Sequence, residues 1–183
     1  MSTGRQDRES LYTEVYRTWA RPLYYYIRRY AVSHEDTEDI LQETLLRAYR
    51  SIDSVKDPSS VKCWIYRIAT NEVSRHLSRK YRRSLFEVSS VGDTPEDDVP
   101  SPPPELFSGP YIDYGKVAEI ELGKAVLSLP SIQRTVFNLR YWEEMSYEDI
   151  AQITGSSVGS LKVSYHKAKE KITQMIGRTV YGD

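Results

Sequence analysis

A single cysteine, Cys63, in a chain of 183 residues leaves no partner for an internal disulfide and no thiolate cluster for a metal. The usage fits a reducing compartment, and Cys63 reads as a small buried residue. No run approaches the roughly 18 consecutive apolar residues that span a bilayer. The opening MSTGRQDRES lacks the apolar core of a secretory signal, so a cytoplasmic location without membrane insertion is expected. Glycine-rich phosphate loops, His-x-x-x-His, Cys-x-x-Cys and Gly-x-Ser-x-Gly elbows are all missing, and His34, His76 and His166 are scattered. Neither catalysis nor a cofactor nor a metal is expected. The acids Glu35, Asp36, Glu38, Asp39 and Glu43 are the one cluster a metal-dependent nuclease would use. Helix N-termini favour acids in any case, and no His/acid set at ligand spacing accompanies them.

What is present is a globular composition, 39% apolar and 28% charged, long enough for one ordinary domain or two small ones. The net charge of -1 hides a segregation. Residues 1–83 carry 16 Lys/Arg against 11 Asp/Glu, residues 84–121 carry 1 against 9, and residues 122–183 carry 8 against 6. Two basic blocks flank an acidic strip, a pattern that points the blocks at nucleic acid.

The central feature of the first block is a helix from about Asp36 to Ile52, capped by Ser33-His-Glu-Asp36, a capping box with Asp in the Glu position. Leu41, Leu45, Ala48 and Ile52 fall on its inward arc. The outward arc carries Asp39, Gln42, Glu43 and Arg50, and among them Leu46. An exposed leucine belongs to any ordinary solvated face; ringed by carboxylates and an amide, it also fits a polar-rimmed docking site. Before this helix, Leu11 to Tyr30 is rich in rings (Tyr12, Tyr16, Trp19, Tyr24, Tyr25, Tyr26) that core packing is expected to absorb for the most part. Pro22 there either begins a helix or kinks one. After it, Asp57-Pro58 starts a helix running to about Arg83, with Val61, Ile65, Ile68 and Ala69 inward. A second stripe holds Arg67, Asn71, Ser74, Arg75, Ser78 and Arg82, beside Trp64 and Tyr66. Basic and aromatic side chains together hold unpaired bases, while a solvated basic face is the plainer alternative. Glu72 is a blemish, turned towards the apolar arc.

Residues 84–115 hold six of the nine prolines and read as an acidic, extended linker. The second block is helical again, in four stretches separated by Pro130, by a cap at Ser146-Tyr-Glu-Asp149 and by a turn at Gly155, with the last helix starting near Ser156 or Ser157. A short capped helix, a glycine turn and a longer helix form a helix-turn-helix. On the longer helix Val158, Leu161, Tyr165, Ala168 and Ile172 face inward, while Gly159, Val163 and His166 face outward, flanked by Lys162 and Lys167, with Ser160 and Ser164 at the margin.

These segments resemble the extracytoplasmic-function (ECF) group of bacterial sigma factors, in the sigma-70 family. EDILQETLLRAYRS is similar to the family's region 2.2, CWIYRIATNEVSRHLSRKYRR to regions 2.3 and 2.4, and residues 129–172 to region 4. The resemblance implies an all-α fold with a region 2 bundle over 1–83, a linker over 84–115 and a region 4 helix-turn-helix over 116–183. It implies an alternative sigma factor, a monomer when free, that binds core RNA polymerase and directs it to a set of promoters. Asp39, Gln42, Glu43 and Leu46 would dock on the β′ clamp helices, and the surface from Leu129 to Tyr141 would meet the β flap. Trp64, Arg67, Asn71, Arg75, Arg79 and Arg82, with the loop Ser54 to Ser60, would open the minus-ten element of promoter DNA. Ser157, Ser160, Lys162, Val163, Ser164, His166 and Lys167 would read the minus-35 element. The linker would run towards the RNA exit path, and an anti-sigma factor would be the regulator.

Some positions depart from the family pattern. Many relatives have an apolar residue at Glu72 and Asp at Arg75, and arginine is frequent at Lys162, Ser164 and Lys167. Lysine lacks the bidentate fork of arginine, so no minus-35 sequence carries over. The rival reading is a helix-turn-helix regulator with a helical sensor domain, which binds duplex DNA without polymerase and usually as a dimer; no dimerisation heptad is evident here.

Overall fold

The computed structural model describes residues 3–30, 32–55, 57–88 and 114–181. Among them every regular element is helical, and the chain divides into two compact units. The first contains α1 (Thr3–Arg28), α2 (His34–Ser51) and α3 (Val61–Val88); the second contains α4 (Tyr114–Leu127), α5 (Ser131–Phe137), α6 (Tyr147–Thr154) and α7 (Val158–Tyr181).

In the first unit α2 starts where the sequence places it. The Ser33 hydroxyl accepts from the Asp36 N–H at 3.0 Å, satisfying one of the orphan donors of the first turn. Ile40, Leu45 and Ala48 are buried along one face, continued by Ile52 in a 3-10 turn (Ile52–Ser54). Leu41 is only half-buried; Thr37 and Thr44 complete the inner arc by donating their hydroxyls to the Ser33 and Ile40 carbonyls at 2.7 Å each. Burying a hydroxyl without such a bond is costly.

α1 is one helix through Pro22, neither broken nor restarted there. Core packing absorbs fewer of its rings than the majority expected. Tyr26 is fully buried, but Tyr16 and Tyr25 are about half exposed, at 50% and 49%, and Tyr12, Trp19 and Tyr24 are half-buried. Six rings within fifteen positions exceed what one helical face can bury. The surplus packs edge to face along the surface, Tyr12 on Tyr49 at 5.0 Å and Tyr24 on Tyr25 at 5.7 Å between centroids. Within the core, the Tyr26 hydroxyl bonds those of Tyr30 at 2.9 Å and Thr70 at 2.8 Å, and its ring meets Tyr66 at 5.1 Å.

The C-terminal end of α2 is tied to α1 by Arg8. Its guanidinium donates to the Tyr49 carbonyl at 2.7 Å, pairs with Asp53 at 3.3 Å and lies 4.9 Å from the Tyr49 ring centroid. Replacing Arg8 by Ala is expected to lower unfolding stability by about 1–2 kcal/mol, the worth of a charge-assisted bond to a helix-end carbonyl plus its ring contact. Urea denaturation of the two chains measures it.

α3 follows the Asp57 cap through one 3-10 turn, Pro58–Ser60. It buries Ile65, Tyr66, Ala69 and Val73, with Val61 and Ile68 half-buried. Cys63 is half-buried rather than buried, because it lies across the helix from Ile65 and Ala69. α3 runs to Val88, since nothing between Arg83 and Val88 breaks a helix. The linker expected over 84–115 lies mostly outside the described residues.

The second unit packs Ala125, Val126 and Leu129 against Phe137 of α5 and Ala168 and Ile172 of α7. α5 does not simply continue to its end: at Asn138–Trp142 it widens into a π turn. That widening stacks Tyr141 on Phe137 at 5.0 Å and sets Trp142 edge-on to the same ring at 5.4 Å.

Candidate functional site

Three exposed surfaces carry the residues singled out in the sequence. The first lies on α2. Asp39, Gln42 and Leu46 are exposed, Leu46 by 40%, and Glu43 is half-buried. Leu46 and Gln42 border two grooves. One, of about 480 Å³, is charged and is shared with α3 through Glu72, Arg75, His76 and Arg79. The other, of about 510 Å³, is aromatic and is shared with α1 through Tyr12, Tyr16 and Tyr24. An apolar anchor beside rings and within a charged rim has the make-up of a partner-binding surface. The tyrosines were not among the expected site residues; their exposure on α1 is visible only once α2 is packed against it.

The charged groove holds a network that the sequence did not reveal. Glu72 is buried at 6% exposure and is held by two arginines. Arg47 Nε lies 2.7 Å from its Oε1, and Arg75 Nη1 lies 2.9 and 2.8 Å from its two oxygens. Arg47 also donates to Glu43 at 3.0 Å. Between the same two helices Asp36 faces His76 at 3.5 Å and Lys80 at 3.7 Å. Burial pushes the Asp36 carboxyl up, but the Ser33 hydrogen bonds and the neighbouring His76 and Lys80 outweigh it and hold it below the usual carboxylate range.

The second surface is the basic stripe of α3. Arg67, Asn71, Ser74, Ser78 and Arg79 are exposed, Trp64 and Arg75 are half-buried, and the side chain of Arg82 lies outside the described residues. Tyr81, exposed by 62%, extends the line of Arg67, Asn71, Ser74 and Ser78 by one step; three- and four-residue spacing puts all five on one face. The neighbouring loop is exposed at Ser54 and from Asp57 to Ser60. Its Asp57 accepts from the Ser59 N–H at 2.9 Å and hydroxyl at 2.5 Å, which hold its carboxyl below the usual range.

The third surface is α7. The turn before it follows the expected chemistry: Ser146 accepts from the Asp149 N–H at 3.0 Å, and Gly155 takes φ 71°, a conformation that costs other residues strain. α7 opens one residue after Ser157, whose hydroxyl accepts from the Ser160 N–H at 3.2 Å, while the Ser160 hydroxyl donates to the Ser157 carbonyl at 2.9 Å. Ser157 therefore caps the helix, and the Ser160 side chain is tied back onto its first turn. Lys162, Val163, His166 and Lys167 are exposed, Val163 by 55%, and Ser164 is half-buried. Lys162 and Arg140 lie over the Tyr147 ring, at 5.8 and 5.2 Å from its centroid, which sets the lysine beside the N-terminus of α6. His166 is paired with Glu170 at 3.4 Å.

Among the described residues no helix is long and apolar enough to cross a membrane, and no group of three His, Cys, Asp or Glu side chains converges to hold a metal. The sigma-70 region 2 family model matches residues 15–83, covering the α2 and α3 surfaces, and the sigma-70 region 4 model matches residues 119–172, covering α7. The chain is 33% identical over 154 residues to an ECF RNA polymerase sigma-E factor of Haemophilus influenzae, covering 79% of this chain and 77% of that one. It is 30% identical over 160 residues to the RNA polymerase sigma-H factor of Pseudomonas aeruginosa, covering 82% and 78%. The sigma factor RpoE of Bartonella quintana, solved with the anti-sigma factor NepR, shares the fold with a TM-score of 0.64 at 21% identity, over 97% of this chain and 98% of that one. The chain belongs to the sigma-70 family as an ECF sigma factor, a partner of core RNA polymerase that directs promoter-specific transcription initiation.

Proposed function

We propose that the three surfaces divide the work of initiation among themselves. Asp39, Gln42, Glu43 and Leu46 dock on core polymerase, at the β′ clamp helices, and the surface from Leu129 to Tyr141 meets the β flap. The α3 stripe from Trp64 to Arg82, with the loop Ser54 to Ser60, opens the minus-ten element and holds the displaced strand. Ser157, Ser160, Lys162, Val163, Ser164, His166 and Lys167 take α7 into the major groove of the minus-35 element, Ser157 and Ser160 by shaping the helix start. The observation that carries this reading is the segregation of surface chemistry: an apolar anchor with an acidic rim on α2, and exposed basic faces on α3 and α7.

No covalent step is required. Opening a duplex costs a few kcal/mol per unstacked base, and stacking each base on an aromatic side chain returns about 1–3 kcal/mol. Binding energy alone therefore drives melting once phosphates are held by arginines. The protein works in the cytoplasm as a monomer until it meets polymerase, with the acidic, proline-rich segment between α3 and α4 as the linker. An anti-sigma factor, the class of partner with which RpoE was solved, covers the α2 surface and holds the chain inactive.

The test is co-elution of the purified full chain with bacterial core RNA polymerase on a sizing column, followed by run-off transcription from promoters the complex selects. A one-to-one complex that initiates at discrete start sites is the expected result. Elution of the chain alone, as a dimer that binds duplex DNA tightly by itself, would replace the sigma reading with that of a helix-turn-helix regulator.

A further inference from the structure

In the charged groove two guanidinium groups share one buried carboxylate. The Glu72 side chain is 7% exposed, and its oxygens are 2.7 Å from Arg47 Nε and 2.8 and 2.9 Å from Arg75 Nη1. A buried carboxylate needs at least one cation, so with two present either arginine can leave if the other stays. Arg47 is itself divided, since Glu43, on the α2 docking face, holds it at 3.0 Å with both side chains 42% exposed. Arg75 is different: both of its contacts to Glu72 draw it back into the groove, away from the line of Arg67, Asn71 and Ser74 on which a phosphate would be met.

We propose that Glu72 is a positioning residue that withholds Arg75 from DNA in the free protein and releases it when a basic partner surface engages Glu43. A cation placed on Glu43 removes one of the two carboxylates that divide Arg47. Arg47 then turns wholly onto Glu72, which no longer needs Arg75, and the Arg75 guanidinium rotates out to a phosphate. The relay is Glu43 to Arg47 to Glu72 to Arg75, and it links the docking helix to the DNA helix through side chains alone. The link is reciprocal, as any coupling between two binding events must be: DNA that captures Arg75 leaves Arg47 on Glu72 and presents Glu43 unpaired to polymerase. The consequence is a sigma factor with one phosphate contact fewer until it is docked, which suppresses binding to DNA outside the holoenzyme. The proposal rests on the assignment of α2 to polymerase and of Arg75 to promoter DNA.

The experiment measures binding of the free full-length chain to a fluorescein-labelled 30-base-pair duplex of mixed sequence, by anisotropy across a salt series. Glu72→Gln is expected to tighten binding about 3- to 10-fold and to steepen the dependence of log K on log salt by about 0.9, one additional phosphate contact. Arg75→Ala added to Glu72→Gln is expected to abolish both changes. Glu43→Gln is expected to tighten binding in the wild-type background and to have no effect in the Glu72→Gln background. Glu72→Leu serves as a second variant, because it suits the apolar arc if Gln destabilises the fold, and thermal melts by circular dichroism verify that each chain is folded. Unchanged or weaker DNA binding in a folded Glu72 variant overturns the proposal, since Glu72 then aims Arg75 instead of withholding it. A gain that survives Arg75→Ala overturns it as well. Co-elution with core polymerase is read in parallel, and its absence in the wild type would overturn the sigma assignment and the docking trigger but not the restraint of Arg75 by Glu72.

Discussion

Leu46→Asp in the full chain is expected to weaken assembly with core RNA polymerase by at least about 100-fold, with Glu43→Lys costing about tenfold or more. Leu46 is 40% exposed and lies on the rim of both an aromatic and a charged groove, so in a complex it is the apolar anchor available on α2. Anchors at the centre of an interface cost 2–4 kcal/mol when truncated, and an aspartate there adds a buried, unpaired charge to that loss. Glu43→Lys acts differently. It brings a third cation to Arg47 and Arg75 at the groove and turns an attraction for a basic partner into repulsion, an effect that added salt partly relieves. Neither residue supports the core of the free unit, so both chains should melt within a few degrees of the wild type. Titration of labelled variants against core polymerase gives the affinities, and salt dependence separates the apolar from the electrostatic contribution. Unaltered affinity in Leu46→Asp would remove α2 from the interface.

The parts of this architecture legible in the sequence are those in which one residue does one local job. Ser33, Asp57 and Ser146 cap helices because a short oxygen side chain at that position has an unpaired N–H within reach. Gly155 marks the turn because few other residues take its backbone angles without strain. The outward faces of α2 and α7 follow from a 3.6-residue period. What was not legible depends on a second helix. Tyr12, Tyr16 and Tyr24 have the same periodic credentials as Tyr26, and only the arrival of α2 decides which ring is covered. Glu72 looks like an error in an apolar arc until Arg47, from another helix, is beside it. The i,i+3 spacing to Arg75 and the i,i+4 spacing of Glu43 and Arg47 were visible signals, but spacing along one helix cannot say that two such pairs join. The π turn at Asn138–Trp142 was hidden for a related reason, since it answers to the packing of Tyr141 and Trp142 about Phe137 and not to any local motif.

The largest promoter effect is expected at Val163. It is 55% exposed on α7. Gly159, one turn earlier, leaves open space where a Cβ would stand, so the helix can lie close to the base edges at this point. Two methyl groups at the floor of a major groove have one good partner there, the C5-methyl of thymine. Val163→Glu replaces them with a carboxylate surrounded by phosphates and base acceptors, and mismatches of this kind cost about 1–3 kcal/mol each before charge repulsion is added. The expected result in run-off transcription is a loss of about 100-fold from a native promoter, with core polymerase affinity unchanged because the surfaces proposed to meet polymerase, on α2 and over 129–141, do not include Val163. The decisive comparison is between a native minus-35 element and a scrambled one: the wild type should discriminate strongly, and Val163→Glu hardly at all. Replacing single thymines of the native element by uracil refines the test, since one substitution should weaken the wild type several-fold and leave Val163→Ala unaffected. If every uracil template is transcribed as well as its thymine parent, the valine is a bystander, and sequence reading falls to Lys162 and Lys167, whose contacts also weaken with salt in a way a methyl contact does not.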